Sequence, residues 1–205
     1  MKDRVFLHAR ASVASCALRL NVYASLAALA LAASLSGAAL ADTHPHIRDG
    51  WFIGLGVGGG SAALTVDGES TDREGGGAGS LRAGYVFNPK LGVGFESNMW
   101  LKSQNNTDFT LTTYTAALSY FPVEGLILRA GIGGGDASVD QQAGSTTISA
   151  TESGFGATAG AAYEFRLGRS FAVGPQIDFA YVNLDSFDAN YFNAGISFNW
   201  YFIPR

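Results

Sequence analysis

Five ionisable residues recur at positions that a period-two chain would turn to one side: Arg82, Glu96, Arg129, Glu164 and Asp178. Their types suit two chemistries. Carboxylates can exchange protons in general acid–base catalysis, or acids and bases can neutralise one another away from water. The acids here have basic neighbours, which supplies a structural explanation for them. Nucleophilic serine chemistry needs a positioned base. Beyond residue 41 the histidines are His44 and His46, both ahead of the first strand-like segment. No barrel-embedded base is therefore available, and the chain is not expected to be an enzyme. His44 and His46 with Asp42 or Asp49 form a weak His-x-His metal motif, for which a solvated tether is the simpler reading. No metal or cofactor is expected.

Two spellings mislead. Gly54, Gly56 and Gly59 match G-x-G-x-x-G, but the dinucleotide motif requires a following helix, and a loop and strand follow here. Asn105-Asn106-Thr107 is a glycosylation sequon by spelling alone.

Something must position those five charges, and the N-terminus is not part of it. Lys2, Arg4, Arg10 and Arg19 precede an apolar run, Val22 to Leu35, and Ala39-Leu40-Ala41 forms an A-x-A cleavage signal before Asp42. Residues 1–41 read as a secretory signal peptide cleaved between Ala41 and Asp42. The alternative is an N-terminal anchor, but the apolar run is short of the roughly 20 residues a helical span needs. Cys16, the single cysteine, leaves with it. So do four bases and one acid, which takes the net charge from −4 to near −7. No basic patch survives, which argues against nucleic acid as a partner. Residues 42–49 read as a flexible leader and 50–205 as one domain.

From Trp51 onward the period is two. Trp51, Ile53, Leu55 and Val57 alternate with Phe52, Gly54, Gly56 and Gly58. Comparable alternation centres on Leu81–Phe87, Val93–Leu101, Tyr114–Tyr120, Leu126–Ile132, Phe155–Phe165 and Phe171–Tyr181. The eighth segment sets Phe192, Ala194, Ile196, Phe198, Trp200 and Phe202 against Asn193, Gly195, Ser197, Asn199 and Tyr201. Asn88-Pro89-Lys90, Pro122-Val123-Glu124-Gly125 and Leu167-Gly168-Arg169-Ser170 are tight turns by their chemistry. The remaining connections read as long loops, about 60–77, 102–109, 135–152 and 183–189. Short and long connections alternate strictly. The expected fold is all-β: a closed, antiparallel, up-and-down eight-stranded barrel.

Which face is outside follows from charge. Charged residues make up 15% of the chain, against about 25% in soluble domains. The polar faces carry Gly, Ala, Ser and Thr rather than repeated Lys and Glu, which suits a narrow lumen. Tyr85, Phe87, Tyr120, Tyr163, Phe165, Phe171 and Phe202 gather near the short-turn end, like a girdle at a membrane interface. A transmembrane barrel is expected, and a soluble periplasmic ligand-binding barrel is the less favoured alternative. Symmetry about Pro89 places Arg82 opposite Glu96, and similar depth suggests Arg129 with Glu164, with Asp178 higher up. Two lumen salt bridges are expected, because an isolated buried charge is costly; the alternative is weak interaction in a water-filled lumen.

"GWFIGLGVGGG" (50–60), "LRAGIGGG" (128–135), "GFGATAGAAYEF" (154–165) and "GISFNWYF" (195–202) resemble the small eight-stranded outer-membrane barrel proteins of Gram-negative bacteria. These include the OmpA transmembrane domain and the OmpX and Ail-like proteins, in the outer membrane protein beta-barrel domain group. The resemblance covers 50–202. It implies residence in the outer membrane among lipid and lipopolysaccharide, and insertion by the outer-membrane assembly machinery. That machinery reads a terminal aromatic strand, here Ile196, Phe198, Trp200 and Phe202. The Ile203-Pro204-Arg205 tail departs from family members that end on the aromatic. The resemblance also implies long loops facing outside and short turns facing the periplasm.

The long loops are acidic: Asp67, Glu69, Asp72 and Glu74, then Asp136, Asp140 and Glu152, then Asp185 and Asp188. Either they bind divalent cations at the lipopolysaccharide layer, or a host or phage ligand, or they are simply solvated. The expected function is a structural or surface-interaction barrel, monomeric, with a plugged lumen. A small-solute, porin-like channel is the alternative.

Overall fold

A computed structural model describes residues 48–66, 68–104, 107–143 and 146–202, without the side chains of 142, 143, 146 and 147. The signal segment, the Ala41–Asp42 junction, His44, His46, Asp67, the sequon asparagines and the tail after Phe202 lie outside these residues.

Eight long strands form the wall: β1 (Gly50–Val66), β2 (Glu74–Asn88), β3 (Leu91–Gln104), β4 (Thr107–Tyr120), β5 (Leu126–Ala143), β6 (Thr146–Tyr163), β7 (Phe171–Asn183) and β8 (Asp188–Phe202). Each pairs antiparallel with its sequence neighbour. β8 closes on β1 from Trp51↔Phe202 to Thr65↔Asp188, so neither terminal strand leaves a free edge in the wall. Two-residue strands at Glu69–Ser70 and Phe165–Arg166 add to β1 and β7.

The turns follow their residues. Asn88 Oδ1 accepts from the Lys90 amide at 2.8 Å, an Asx turn that reverses the chain between β2 and β3. Gly125 ends the β4–β5 turn with φ 78°, a left-handed conformation that glycine adopts without strain. A Cβ there would also meet Tyr163 Cζ at 2.7 Å.

The wall is apolar outside and polar inside. Trp51, Ile53, Leu55, Val57, Leu81, Val93, Phe95, Leu118, Ile132, Phe179 and Ile196 are exposed, while Arg82, Glu96, Asn98, Thr113, Thr115, Arg129, Gln176, Asp178, Ser197 and Asn199 are buried. A soluble barrel would reverse this, so the periplasmic ligand-barrel alternative is set aside. Aromatics of the girdle pack in pairs: Trp51 meets Tyr85 edge to face, and Tyr163 on Phe165 and Phe171 on Trp200 are tilted, with ring centroids 5.1 to 5.4 Å apart.

The long loops are corrected. Most of 60–77, 102–109 and 135–152 is strand, while 184–187 is a loop as expected. β5 and β6 are 18 residues each, roughly 60 Å at about 3.3 Å per residue, where about ten suffice to span a membrane. Beyond the apolar belt both faces of a strand meet water. The alternation that marks a strand in sequence then disappears, although the backbone ladder continues.

Candidate functional site in the barrel lumen

The lumen fills from inward-facing side chains in three tiers. The middle tier is ionic. Arg129 Nη2 donates to Asp178 Oδ1 at 2.5 Å, and Arg129 Nε lies 3.4 Å from Glu96 Oε1. The Arg129 row explains this reach. Arg129 pairs with Gly160 on β6, and Gly160 pairs with Asp178 on β7. A Cβ on residue 160 would sit 2.2 Å from Asp178 Oδ1 and 3.0 Å from Arg129 Nη2. Glycine is what lets the guanidinium cross one strand to the carboxylate.

Arg82 lies in the same tier. Its Cα pairs with that of Glu96, as symmetry about Pro89 requires. The expected side-chain salt bridge between them is replaced: Arg82 Nη2 donates to Gln176 Oε1 at 3.0 Å and, more weakly, to Asn199 Oδ1 at 3.5 Å. Gln176 Nε2 donates onward to Ser80 Oγ at 3.0 Å. Gly56 makes room, since a Cβ there would lie 2.2 Å from Gln176 Nε2. Glu96 instead faces Arg129 and accepts from Asn98 Nδ2 at 3.2 Å.

The second expected pair, Arg129 with Glu164, is also corrected. Glu164 sits four positions beyond the Arg129 row, at the short-turn end. There Arg48 Nε and Nη2 approach Glu164 Oε2 at 3.3 and 3.2 Å, and the Tyr201 hydroxyl donates to Oε1 at 2.6 Å. The Arg166 guanidinium stacks over Tyr201 at 4.0 Å. Val86, Phe121, Ile127 and Ala162, with Phe52 against them, complete this lower tier.

The upper tier is apolar. Trp100, Leu111, Val182, Leu184 and Tyr191 are buried together, with small alanines at 62, 137, 180 and 189. The Tyr191 hydroxyl donates to the Asn98 carbonyl at 2.8 Å and lies 3.0 Å from Thr113 Oγ1. Beside Arg82 and Arg129 the remaining cavity is about 10 Å³, at the threshold for a single water. Among the described residues no group of three or more His, Cys, Asp or Glu side chains gathers to hold a metal.

Sequence reasoning turned each of the five charges inward but misassigned their partners. It missed Arg48 altogether, because a lone base in a polar leader looks like a solvated one. The role of Gln176 and Asn199 as neutral acceptors for Arg82 was also missed. On the closing strand, Ile196, Trp200 and Phe202 are exposed on the outer wall and Phe198 is half-buried, opposite Val57, Ile53, Trp51 and Leu55 of β1.

A closed eight-stranded wall, apolar outside and charged within, defines an integral membrane β-barrel. The chain belongs to the outer membrane protein beta-barrel domain family, which it matches over residues 26–202, and its place is the outer membrane. Among solved structures it is similar to Ail, the attachment invasion locus protein of Yersinia pestis. The identity is 18% and the TM-score 0.57, over 75% of this chain and 100% of Ail. Ail in complex with the heparin analogue sucrose octasulfate gives the same figures. The Neisserial surface protein A is 16% identical with a TM-score of 0.49, over 74% of this chain and 98% of that one. No curated protein matches the chain in sequence.

Proposed function

We propose that the protein is a non-conducting, monomeric barrel of the outer membrane whose work is structural or done at its surface. The observation that carries this reading is the filling of the lumen at three heights, with Arg129 held between Glu96 and Asp178. Ions crossing such a lumen would have to break buried charge pairs, each expensive to separate. A small-solute channel is the competing reading. A catalytic role is not part of the proposal, since His44 and His46 both precede β1. Insertion would rest on the outer-membrane assembly machinery recognising the outward Ile196, Phe198, Trp200 and Phe202.

The extended strand ends, in this reading, face outside the cell. They carry Glu69, Asp72, Asp108, Asp136, Asp140 and Glu152, with Arg73 and Lys102 as opposing bases. Lys102 is paired with Glu74, and Arg73 donates to Asn190 at 2.7 Å and to the Ser61 carbonyl at 2.8 Å. Ail has been crystallised with a polyanion; the acidic surface here carries the same sign as that ligand and would repel it. A host or phage ligand here would be basic, or bridged by divalent cations as lipopolysaccharide is, since complementary potentials favour encounter. Proteoliposome swelling in small sugars tests the closed lumen. The proposal expects the rate of protein-free vesicles, and swelling that scales with protein content would support the channel.

A further inference from the structure

The contact at the short-turn mouth is built like a ligand site. Glu164 is buried to 1% exposure, and both of its oxygens are used: Oε1 by the Tyr201 hydroxyl, Oε2 by Arg48. The Arg48 guanidinium also lies over the Phe121 ring, 4.7 Å from its centroid, which makes a cation–π floor. Arg48 itself is 6% exposed, although it lies two residues ahead of β1 and outside the barrel ladder.

The walls come from distant parts of the chain. Phe121 follows β4, and its amide donates to the Lys90 carbonyl at 2.9 Å. Glu164 lies between β6 and the Phe165–Arg166 strand, its amide tied to the Gly125 carbonyl at 2.8 Å. Tyr201 is on the closing strand, opposite Phe52 of β1, and its amide donates to the Ser170 carbonyl at 2.8 Å. The closed barrel brings these three walls around one mouth. An anionic acceptor beneath an aromatic face selects a planar guanidinium over a compact ammonium.

We propose that the short-turn mouth holds a guanidinium-binding site, formed by Glu164, Tyr201 and Phe121, which the chain fills with its own Arg48. Arg48, two residues ahead of β1, is thereby held in the mouth of the closed barrel. This does not rest on whether the lumen conducts.

Two measurements on protein purified from outer membranes test it. Trypsin cleavage after Arg48, followed by mass spectrometry, reports release of Arg48 from the mouth. Wild type is protected, and Glu164→Gln and Tyr201→Phe are cut at least about tenfold faster, because proteolysis tracks the population of the open form. Arg48→Ala is then heated in detergent and its folded fraction read by gel migration. Its midpoint falls below wild type and is restored by millimolar methylguanidinium but not by methylammonium; Glu164→Gln abolishes the rescue. Cold gel migration shows that each variant has folded. Equal cleavage of wild type and both mouth variants, or equal response to the two cations, overturns the proposal.

Discussion

The outer wall and the lumen of this barrel are built by alternate residues of the same strands, yet they are held together by different physics. Leu55 and Phe198 face each other on the outside, while the neighbouring Gly54 and Asn199 face each other on the inside. Outside, the solvent is lipid, and apolar side chains of almost any shape satisfy it. Inside, every long polar side chain must find a partner, and glycine must stand where that partner lies. The outside therefore tolerates changes of shape but not of charge. The inside tolerates neither, because Gly56 and Gly160 are fitted to Gln176 and to the Arg129–Asp178 contact.

The largest way to break this contrast is to strand a lumen charge. Arg129→Met leaves Glu96 and Asp178 facing one another without their cation. It should cost about 3–5 kcal/mol, the usual cost of removing one partner of a buried pair, read as urea unfolding in lipid vesicles. Arg129→Lys should recover only part of that loss, since a single ammonium cannot reach both carboxylates in the guanidinium's geometry.

Next comes a charge on the lipid face. Leu55→Arg should cost about 2–4 kcal/mol if it lies near the bilayer midplane, whereas Leu55→Ile should be nearly silent. Equal effects of the two would show that the outward face does not meet lipid.

A methyl group on the inside is the third step. Gly160→Ala places a carbon against Asp178 Oδ1 and Arg129 Nη2, and should cost about 1–3 kcal/mol as overpacking does. An alanine at Gly59, where a Cβ would meet only the Gly76 carbonyl at 3.6 Å, should be tolerated. The difference between these two glycines is the sharpest local test of the contrast.

The smallest effect is expected on the protruding strands. The Lys102–Glu74 pair is partly exposed, and Glu74→Gln should shift stability by no more than about 0.5 kcal/mol.

How much of this was legible depended on the environment of each segment. Where one face meets lipid and the other the lumen, as in Trp51–Val57 or Phe192–Phe202, period-two alternation declared both strand and orientation. Symmetry about Pro89 even placed Arg82 opposite Glu96. Above the belt the signal failed. "SVDQQA" and "TTISAT" show no alternation of apolar and polar residues, yet they form the upper part of the β5–β6 ladder, where Gln141 and Ile148 to Thr151 are all exposed. Ion-pair partners were the least legible feature. Cα register says which residues are adjacent. A guanidinium on a long stem chooses among acceptors up to a strand away, and here a glycine between Arg129 and Asp178 decided the outcome. Arg48 was hidden for another reason: its partner Glu164 is 116 residues away in sequence, and nothing local marks the contact.

The proposed closed lumen is tested most directly by single-channel recording of the wild-type protein in planar bilayers at high salt. It predicts a baseline indistinguishable from protein-free membrane, with brief irregular openings at most. Steady, uniform current steps in wild type, unchanged in Arg129→Met, would contradict it.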